Sequence, residues 1–345
     1  MGYGIIKLVI VICWECFCVR KFNGAMIFIW VLMGILVVTA LVGGIAYDWQ
    51  WMQKNDAPHD ISAVVKDTLS GTPYVPPSGF VIHRHEVFPA EEIDNFVLDV
   101  VMEEVIVRHS NNNSIMISQY GSENLSDNRM VQISRSGSTL RVKSKKNNRL
   151  FDHRWNQDSS LVILLPASYS DKVDFSIGTG ELTIIDSWAF SGLKMSMSMG
   201  DLKCQSDLSA DIVDIEANMG EIRLAGIDCT KYDVEVSMGD IHIESLSGSG
   251  KVNANAGSIY INRLLIKDSS ALDAAMGSIV ACLANNQSFE FDGSANMGDI
   301  KTYFNAETKG NEIMNHKLSA KVGDGPYVEL KAETSAGSIE IREAQ

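Results

Sequence analysis

A short pattern, Met-Gly-acid-aliphatic and its variants, returns along this chain about every 20 residues. The glycines that mark it lie 20, 20, 19, 18, 20, 21 and 39 residues apart, and the last gap is about two periods. They are Gly180, Gly200, Gly220, Gly239, Gly257, Gly277, Gly298 and Gly337. A period of this size without a helix in the unit predicts a β-solenoid in which each repeat forms one rung. Twenty extended residues cover about 66 Å of path, which is enough to circle a narrow core once.

The apolar residues change parity at each of these glycines. Around Gly239 they are Val234, Val236 and Met238 before the glycine, then Ile241 and Ile243 after it. A straight strand cannot move its buried side chains to the other parity, whereas a corner that takes up one extra residue can. Glycine tolerates the positive φ that such a corner often needs. We therefore predict that each glycine and the residue after it form a corner.

The residue before the glycine is Met in five copies, Ala in two and Thr in one. Parity predicts that it points inward, so stacked rungs would form a methionine ladder inside the core. Flexible methionine suits an irregular, narrow interior, and core filling is favoured over a redox or copper function.

The residue after the glycine raises two interpretations, a repeated calcium site or a repeated backbone geometry. These residues are Glu181, Asp201, Glu221, Asp240, Ser258, Ser278, Asp299 and Ser338. Three of the eight are serine, a poor calcium ligand, and calcium requires six to eight oxygen ligands. Backbone geometry is therefore the favoured interpretation, with the corner side chain pointing to solvent.

The whole body is predicted to be all-β, because short runs rich in Val, Ile and Leu alternate with Asn, Ser and Gly turns. A short helix is expected only near "PAEEIDNFV". The predicted architecture is a parallel β-helix or β-solenoid with about 20-residue rungs, right-handed by preference. It occupies residues 80–345, with less regular rungs at 80–165 and regular glycine-corner repeats at 166–345. A proline-containing stalk at 48–79 precedes it.

Residues 25–47 are predicted to form one transmembrane helix. They run 23 residues without a charge, which at about 1.5 Å per residue spans a bilayer core of roughly 30 Å. Arg20 and Lys21 precede the span, so the segment 1–24 is expected in the cytoplasm and the large body outside it. A cleaved signal peptide is the competing interpretation, but the apolar stretch is longer than a usual signal core.

The segment before the span contains Cys13, Cys16 and Cys18, for which the sequence offers no second ligand pair. Met26 is an alternative start to Met1, and starting there would remove the charges that orient the span. The role of these three cysteines stays unexplained.

Charge excludes nucleic acid as a partner. The chain has a net charge of −14, and because residues 1–47 contribute +2, the remainder carries −16. Nucleic-acid binding requires a basic face that displaces counterions.

The chain resembles the DUF4097 family of bacterial β-strand-repeat proteins, which are proposed adhesins. The matching features are the repeated "MGDI", "MGEI" and "AGSI" corners, the ending "GDGPYVELKAETSAGSIEI" and the step "SLVILLPASYSDKVDFSIGTGELTI". The resemblance covers roughly residues 97–341. It implies an envelope-associated, non-enzymatic solenoid without a cofactor.

Catalytic and metal-binding alternatives have weaker signals. Parallel β-helices include polysaccharide lyases, and Asp214, Asp233 and Asp273 fall near one another in repeat phase, so a weak acidic stripe is one candidate. A solvated face is the favoured interpretation. His83 and His85 share one strand face by parity and could form a metal pair, but no third ligand is evident.

One basic stretch interrupts the acidic body. Arg141, Lys143 and Lys145 share a strand face by parity and form a candidate patch for an anionic envelope polymer or lipid headgroup. A solvated strand is the simpler interpretation.

The three body cysteines, Cys204, Cys229 and Cys282, do not have disulfide-framework spacing, and Cys204 is expected in the core.

These observations predict a single-pass cell-membrane protein whose extracytoplasmic solenoid acts without catalysis in surface interaction, adhesion, or envelope-stress sensing and scaffolding. Its expected partners are the membrane, through residues 25–47, and a cell-envelope polymer or another surface protein. A carbohydrate-active β-helix enzyme is one alternative function. A polymerising scaffold like a bactofilin is the other, disfavoured because the body is expected outside the cytoplasm.

Overall fold

Strands make up most of the described chain. The computed structural model describes residue 77 and residues 79–145, 159–308 and 316–343. Within these ranges the protein is all-β and has no α-helix, as the sequence predicts. The expected short helix is a single 3₁₀ turn, Ala90–Glu92, and a second such turn covers Asp127–Arg129.

The predicted cytoplasmic segment 1–24, the predicted span at 25–47 and almost all of the predicted stalk lie outside the described residues. The part that the structure describes contains no helix with the length and apolar character needed to cross a membrane.

Within the described ranges, eighteen strands form one continuous sheet. The first six are β1 (Phe80–Pro89), β2 (Asn95–Ser110), β3 (Ser114–Ser122), β4 (Val131–Ser136), β5 (Thr139–Ser144) and β6 (Ser159–Pro166). The next six are β7 (Lys172–Ile184), β8 (Trp188–Met219), β9 (Ile222–Met238), β10 (Ile241–Ala256), β11 (Ile259–Met276) and β12 (Ile279–Leu283). The last six are β13 (Phe289–Met297), β14 (Ile300–Thr302), β15 (Glu307–Thr308), β16 (His316–Val322), β17 (Val328–Ala336) and β18 (Ile339–Glu343).

The strands β7 to β12 stack in parallel with a solenoid-like register. Gly180 of β7 lies opposite Gly200 of β8, and each later rung again places its corner beside the previous one. Inward side chains from successive rungs then lie above one another. Ile222, Ile241, Ile259 and Ile279 form one such column, and each is fully buried.

The N-terminal part is more mixed than a row of rungs. Residues 95–107 of β2 run parallel to β7 and form the first rung. The pairs β1–β3, β3–β6 and β4–β5 are antiparallel, and β2 also pairs in parallel with β5 and β6. These strands cover one end of the stack, so its apolar interior does not end in an open rung.

The rungs at the C-terminal end are not stacked in sequence order. β17 pairs in parallel with β11 on one side and with β13 on the other, and β18 lies in the same way between β12 and β14. The 39-residue gap between Gly298 and Gly337 therefore holds an excursion, because β16 covers the far side of β13 as an antiparallel strand. The final segment of the chain then returns to fill the position between two earlier rungs.

Candidate functional site

The structure places all eight repeat glycines at corners, with φ between +124° and +156°. Close backbone contact restricts each position further. A β-carbon on any of them would lie 1.8–2.0 Å from a backbone carbonyl oxygen of the neighbouring rung. Real β-carbons essentially never approach so closely, so both φ and contact require glycine there.

The residue after the glycine has a role that the sequence analysis missed. At Asp201, Asp240, Ser258 and Ser278 the side chain does not simply point to solvent, but accepts a hydrogen bond from the backbone N–H of the corresponding residue on the next rung. Asp240 Oδ1 accepts from Ser258 N at 2.7 Å, and Ser258 Oγ accepts from Ser278 N at 3.1 Å. Asp201 accepts from Glu221 N at 3.1 Å in the same way. Serine and aspartate both carry an oxygen acceptor on a short side chain, which explains why either residue can occupy this position.

The prediction that the residue before the glycine points inward is wrong. Met238, Met276 and Met297 are 52%, 62% and 60% exposed. Inward alternation ends three residues before the glycine, at fully buried positions such as Val236 and Ala254. The positive-φ glycine turns the chain, so that the last residue before it faces solvent.

An open groove of about 390 Å³ lies on the outward face of the first rungs. We call it the serine groove. Its lining residues are Asp99, Val100, Val101, Ser176, Ile177, Gly178, Ser196, Met197, Ser198, Glu216 and Asn218. Small side chains at the same two positions of neighbouring rungs create the depression: Ser176 lies opposite Ser196, and Gly178 and Ser198 lie two residues before their corners. Carboxylates stand at its two ends, on β2 and on the second half of β8.

The predicted basic patch borders this groove. Lys143 Nζ lies 3.3 Å from Asp99 Oδ2, and Lys145 Nζ donates a 2.7 Å hydrogen bond to the backbone oxygen of Asp127. Arg141 is exposed two residues before Lys143 on β5. Two of the three predicted cations are thus held by the protein's own oxygens, and one of them neutralises an end of the groove.

The predicted acidic stripe is only partly assembled. Asp214 lies opposite Asp233, but Asp273 lies opposite Asn253 in the next column. Asp214 also forms a 2.5 Å ion pair with Lys194. These carboxylates therefore belong to a solvated face of mixed charge.

The two histidines of the candidate metal pair are separated by a register shift in β1, between Ile82 and Arg84. His83 Nε2 lies 2.8 Å from the backbone oxygen of Ser122, and His85 Nδ1 lies 2.9 Å from Ser118 Oγ. Among the described residues, no group of three or more His, Cys, Asp and Glu side chains could hold a metal ion.

The body cysteines are free thiols. Cys204 is buried in the core, as expected, and burial raises its pKa. Burial also raises the pKa of Cys229 to about 11. Neither thiol is therefore an activated nucleophile.

Glu103 is the one carboxyl among the described acids that burial shifts strongly. It is 5% exposed, and its two oxygens accept hydrogen bonds from Ser159 Oγ at 2.8 Å and Gln119 Nε2 at 3.2 Å. Burial raises its pKa to about 7, against the lowering effects of Ser159, Arg129 and Gln119. A carboxyl of this kind is a candidate general acid. Glu103 is absent from the groove lining, and its bonds to β3 and β6 indicate a role in holding the end of the stack together.

A family model described as Toastrack DUF4097 matches residues 93–342. A search of curated proteins yields no match. Similar crystal structures include a proposed adhesin from Bacteroides fragilis, at 12% identity and a TM-score of 0.42, covering 77% of this chain and 98% of that one. A proposed lipid-binding protein from Parabacteroides distasonis has 13% identity and a TM-score of 0.43, covering 77% and 97%. A proposed adhesin from Parabacteroides merdae has 13% identity and a TM-score of 0.34, with the same coverage.

Proposed function

Because the chain belongs to the Toastrack DUF4097 family, we propose that it is a non-catalytic, membrane-anchored binding protein of the cell envelope. In this proposal residues 25–47 cross the membrane once and the all-β body lies outside the cytoplasm. The uncharged 23-residue stretch and the preceding Arg20 and Lys21 support this arrangement. The proposal includes a right-handed parallel β-helix, supported by the parallel register and by the usual hand of such crossovers.

The serine groove carries the proposal. Hydroxyls of Ser176, Ser196 and Ser198 and the amide of Asn218 line it, and these groups both donate and accept hydrogen bonds. A glycan presents the complementary set of hydroxyls and amides. The groove crosses four adjacent strand segments, a span on the order of 14 Å at the usual strand spacing. A segment of a polymer therefore fits it better than a small metabolite does.

Charge narrows the class of glycan. Lys143 neutralises Asp99 at one end of the groove, but Glu216 stands at the other end, so an anionic polymer would meet like charge there. Neutral sugars and N-acetylated amino sugars meet no such penalty. We propose that the ligand is an amino-sugar polymer of the envelope.

The same geometry favours binding over hydrolysis. Glycoside hydrolases place two carboxyl groups about 5–10 Å apart across the scissile bond. In the groove, Asp99 and Glu216 come from strands separated by those of Ser176 and Ser196. At the usual strand spacing these two strands lie on the order of 14 Å apart, which exceeds the hydrolase range and suits two ends of a binding site.

Co-sedimentation of the full chain in detergent with insoluble chitin and with peptidoglycan tests the binding. We expect Ser198→Phe, which fills the groove, to weaken binding at least tenfold. Asn255→Phe is the matched control, since Asn255 is also exposed and also two residues before a corner, but outside the groove. Equal binding by Ser198→Phe and the parent would contradict the site, and release of soluble sugars would favour the enzyme.

Protease accessibility tests the topology separately. Protease added to intact cells, or to spheroplasts where an outer membrane is present, should cut residues 80–345. Cleavage that occurs only after lysis would contradict the extracytoplasmic placement.

A further inference from the structure

Three methionines stand side by side on consecutive rungs, at the position directly before the corner glycine. Met219 lies opposite Met238. Met199 occupies the preceding rung, because the Gly200 carbonyl oxygen directly faces Gly220. Neighbouring strands are about 4.8 Å apart, so the backbone positions of all three fall within about 10 Å.

These side chains face outward. Met219 is 39% exposed and Met238 is 52% exposed, while Met199 is half-buried. The corner itself does not require methionine, because the rungs on either side of the three carry Thr179 and Ala256 at the same position. Core packing therefore does not account for three successive thioethers here.

The chemistry of the group is specific. Thioether sulfur is a soft ligand that selects copper(I) and similar soft monovalent ions over magnesium, calcium or zinc. Methionine has three rotatable bonds, so three sulfurs on adjacent rungs can turn toward one ion while the backbone stays fixed. The acidic body adds a general attraction for cations.

We propose that Met199, Met219 and Met238 form a surface site for one copper(I) ion, which silver(I) also occupies. Met276 and Met297 belong to the same column but do not complete such a site. Ala336 lies between them, and Ala256 separates Met276 from Met238. The site shares no residue with the serine groove, although Met199 and Met219 directly follow Ser198 and Asn218 of its lining.

Methyl-¹³C methionine NMR of the full chain in detergent tests the site directly. All samples carry Ser in place of Cys13, Cys16, Cys18 and Cys282, because thiolates outcompete thioethers for these ions. Silver nitrate in chloride-free buffer is the first probe, and anaerobic copper(I) in acetonitrile is the second. We expect three methyl signals to shift together and saturate at one equivalent.

Leucine variants assign the shift, since leucine keeps volume and apolarity but has no sulfur. Met199→Leu/Met219→Leu/Met238→Leu should weaken binding at least tenfold, and Met276→Leu/Met297→Leu should leave it unchanged. Circular dichroism checks that both variants stay folded. The proposal is overturned if no signal shifts at millimolar silver, if Met276 and Met297 respond as strongly as the other three, or if magnesium produces the same shifts.

Discussion

A β-carbon on Gly239 would lie 1.9 Å from the carbonyl oxygen of Gly220, on the rung beside it. The two glycines therefore form a contact between backbones, repeated at each corner along the stack. Replacing either one forces neighbouring rungs apart, because a backbone oxygen, unlike a flexible side chain, cannot turn away.

Gly239→Ala should lower the free energy of unfolding by about 3 kcal/mol or more, from the clash and from the unfavourable φ of +138°. Gly192→Ala is the matched control, because its added β-carbon meets only a lysine side-chain carbon at 3.7 Å. Its effect should stay within about 0.5 kcal/mol. Urea unfolding of both variants measures the difference, and similar values would contradict the corner contact.

The hydrogen bond from Ser258 N to Asp240 predicts a graded response at position 240. Asp240→Ser keeps an oxygen acceptor and should change stability by about 0.5 kcal/mol or less. Asp240→Ala leaves the N–H of Ser258 without this acceptor and should cost about 1–2 kcal/mol. Thermal melts with calcium and with chelator complete the test. A calcium-dependent melt that Asp240→Ser abolishes would restore the metal interpretation.

The outward turn before each glycine can be tested with one substitution at two sites. Met197 is 2% exposed, whereas Met238 is largely exposed. Met197→Gln buries an amide and should destabilise the protein by about 2 kcal/mol, while Met238→Gln should be nearly neutral. Denaturant unfolding gives both values. A larger loss of stability from Met238→Gln than from Met197→Gln would show that the residue before the glycine is buried in the core after all.

Sequence periodicity was sufficient to predict the all-β class, the rung length and the corner glycines, because each rung repeats the same spacing. It could not locate the residue where alternation breaks, since Val236 and Met238 have the same parity and only the turn of the chain separates them. Periodicity also could not predict the stacking order of the last rungs, because the 20-residue spacing is the same whichever rung lies next to another.

The sequence contains a pattern from which the serine groove could have been predicted. Aligning the rungs on their glycines places Ser176 over Ser196 and Gly178 over Ser198, a run of small side chains on an outward face. Its ends could not be read from the repeat, because Asp99 belongs to β2, which precedes the regular rungs.

Glu103 predicts how stability depends on pH. Its pKa is about 7 when folded and about 4.5 when unfolded, so between these values the folded chain binds more protons. The Glu103 contribution therefore falls as pH rises through this interval and levels off above it. Glu103→Gln mimics the protonated form and should exceed the parent in stability at pH 8, by on the order of 2 kcal/mol, but not at pH 5.

Chemical unfolding at the two pH values measures this change. Glu244→Gln, which removes a charge at an exposed site, serves as the control. Parallel pH profiles for Glu103→Gln and the parent would show that burial does not hold the proton on Glu103.

The position of β17 and β18 between earlier rungs has a consequence for biosynthesis. As the chain leaves the ribosome, the stack can grow in order only as far as β12. The next rung, β13 and β14, then has no bonded neighbour on its inner side until β17 and β18 emerge. The stack is therefore completed only when β17 and β18 insert between the two earlier rungs. A premature stop before residue 328 would remove one rung and leave another without its support.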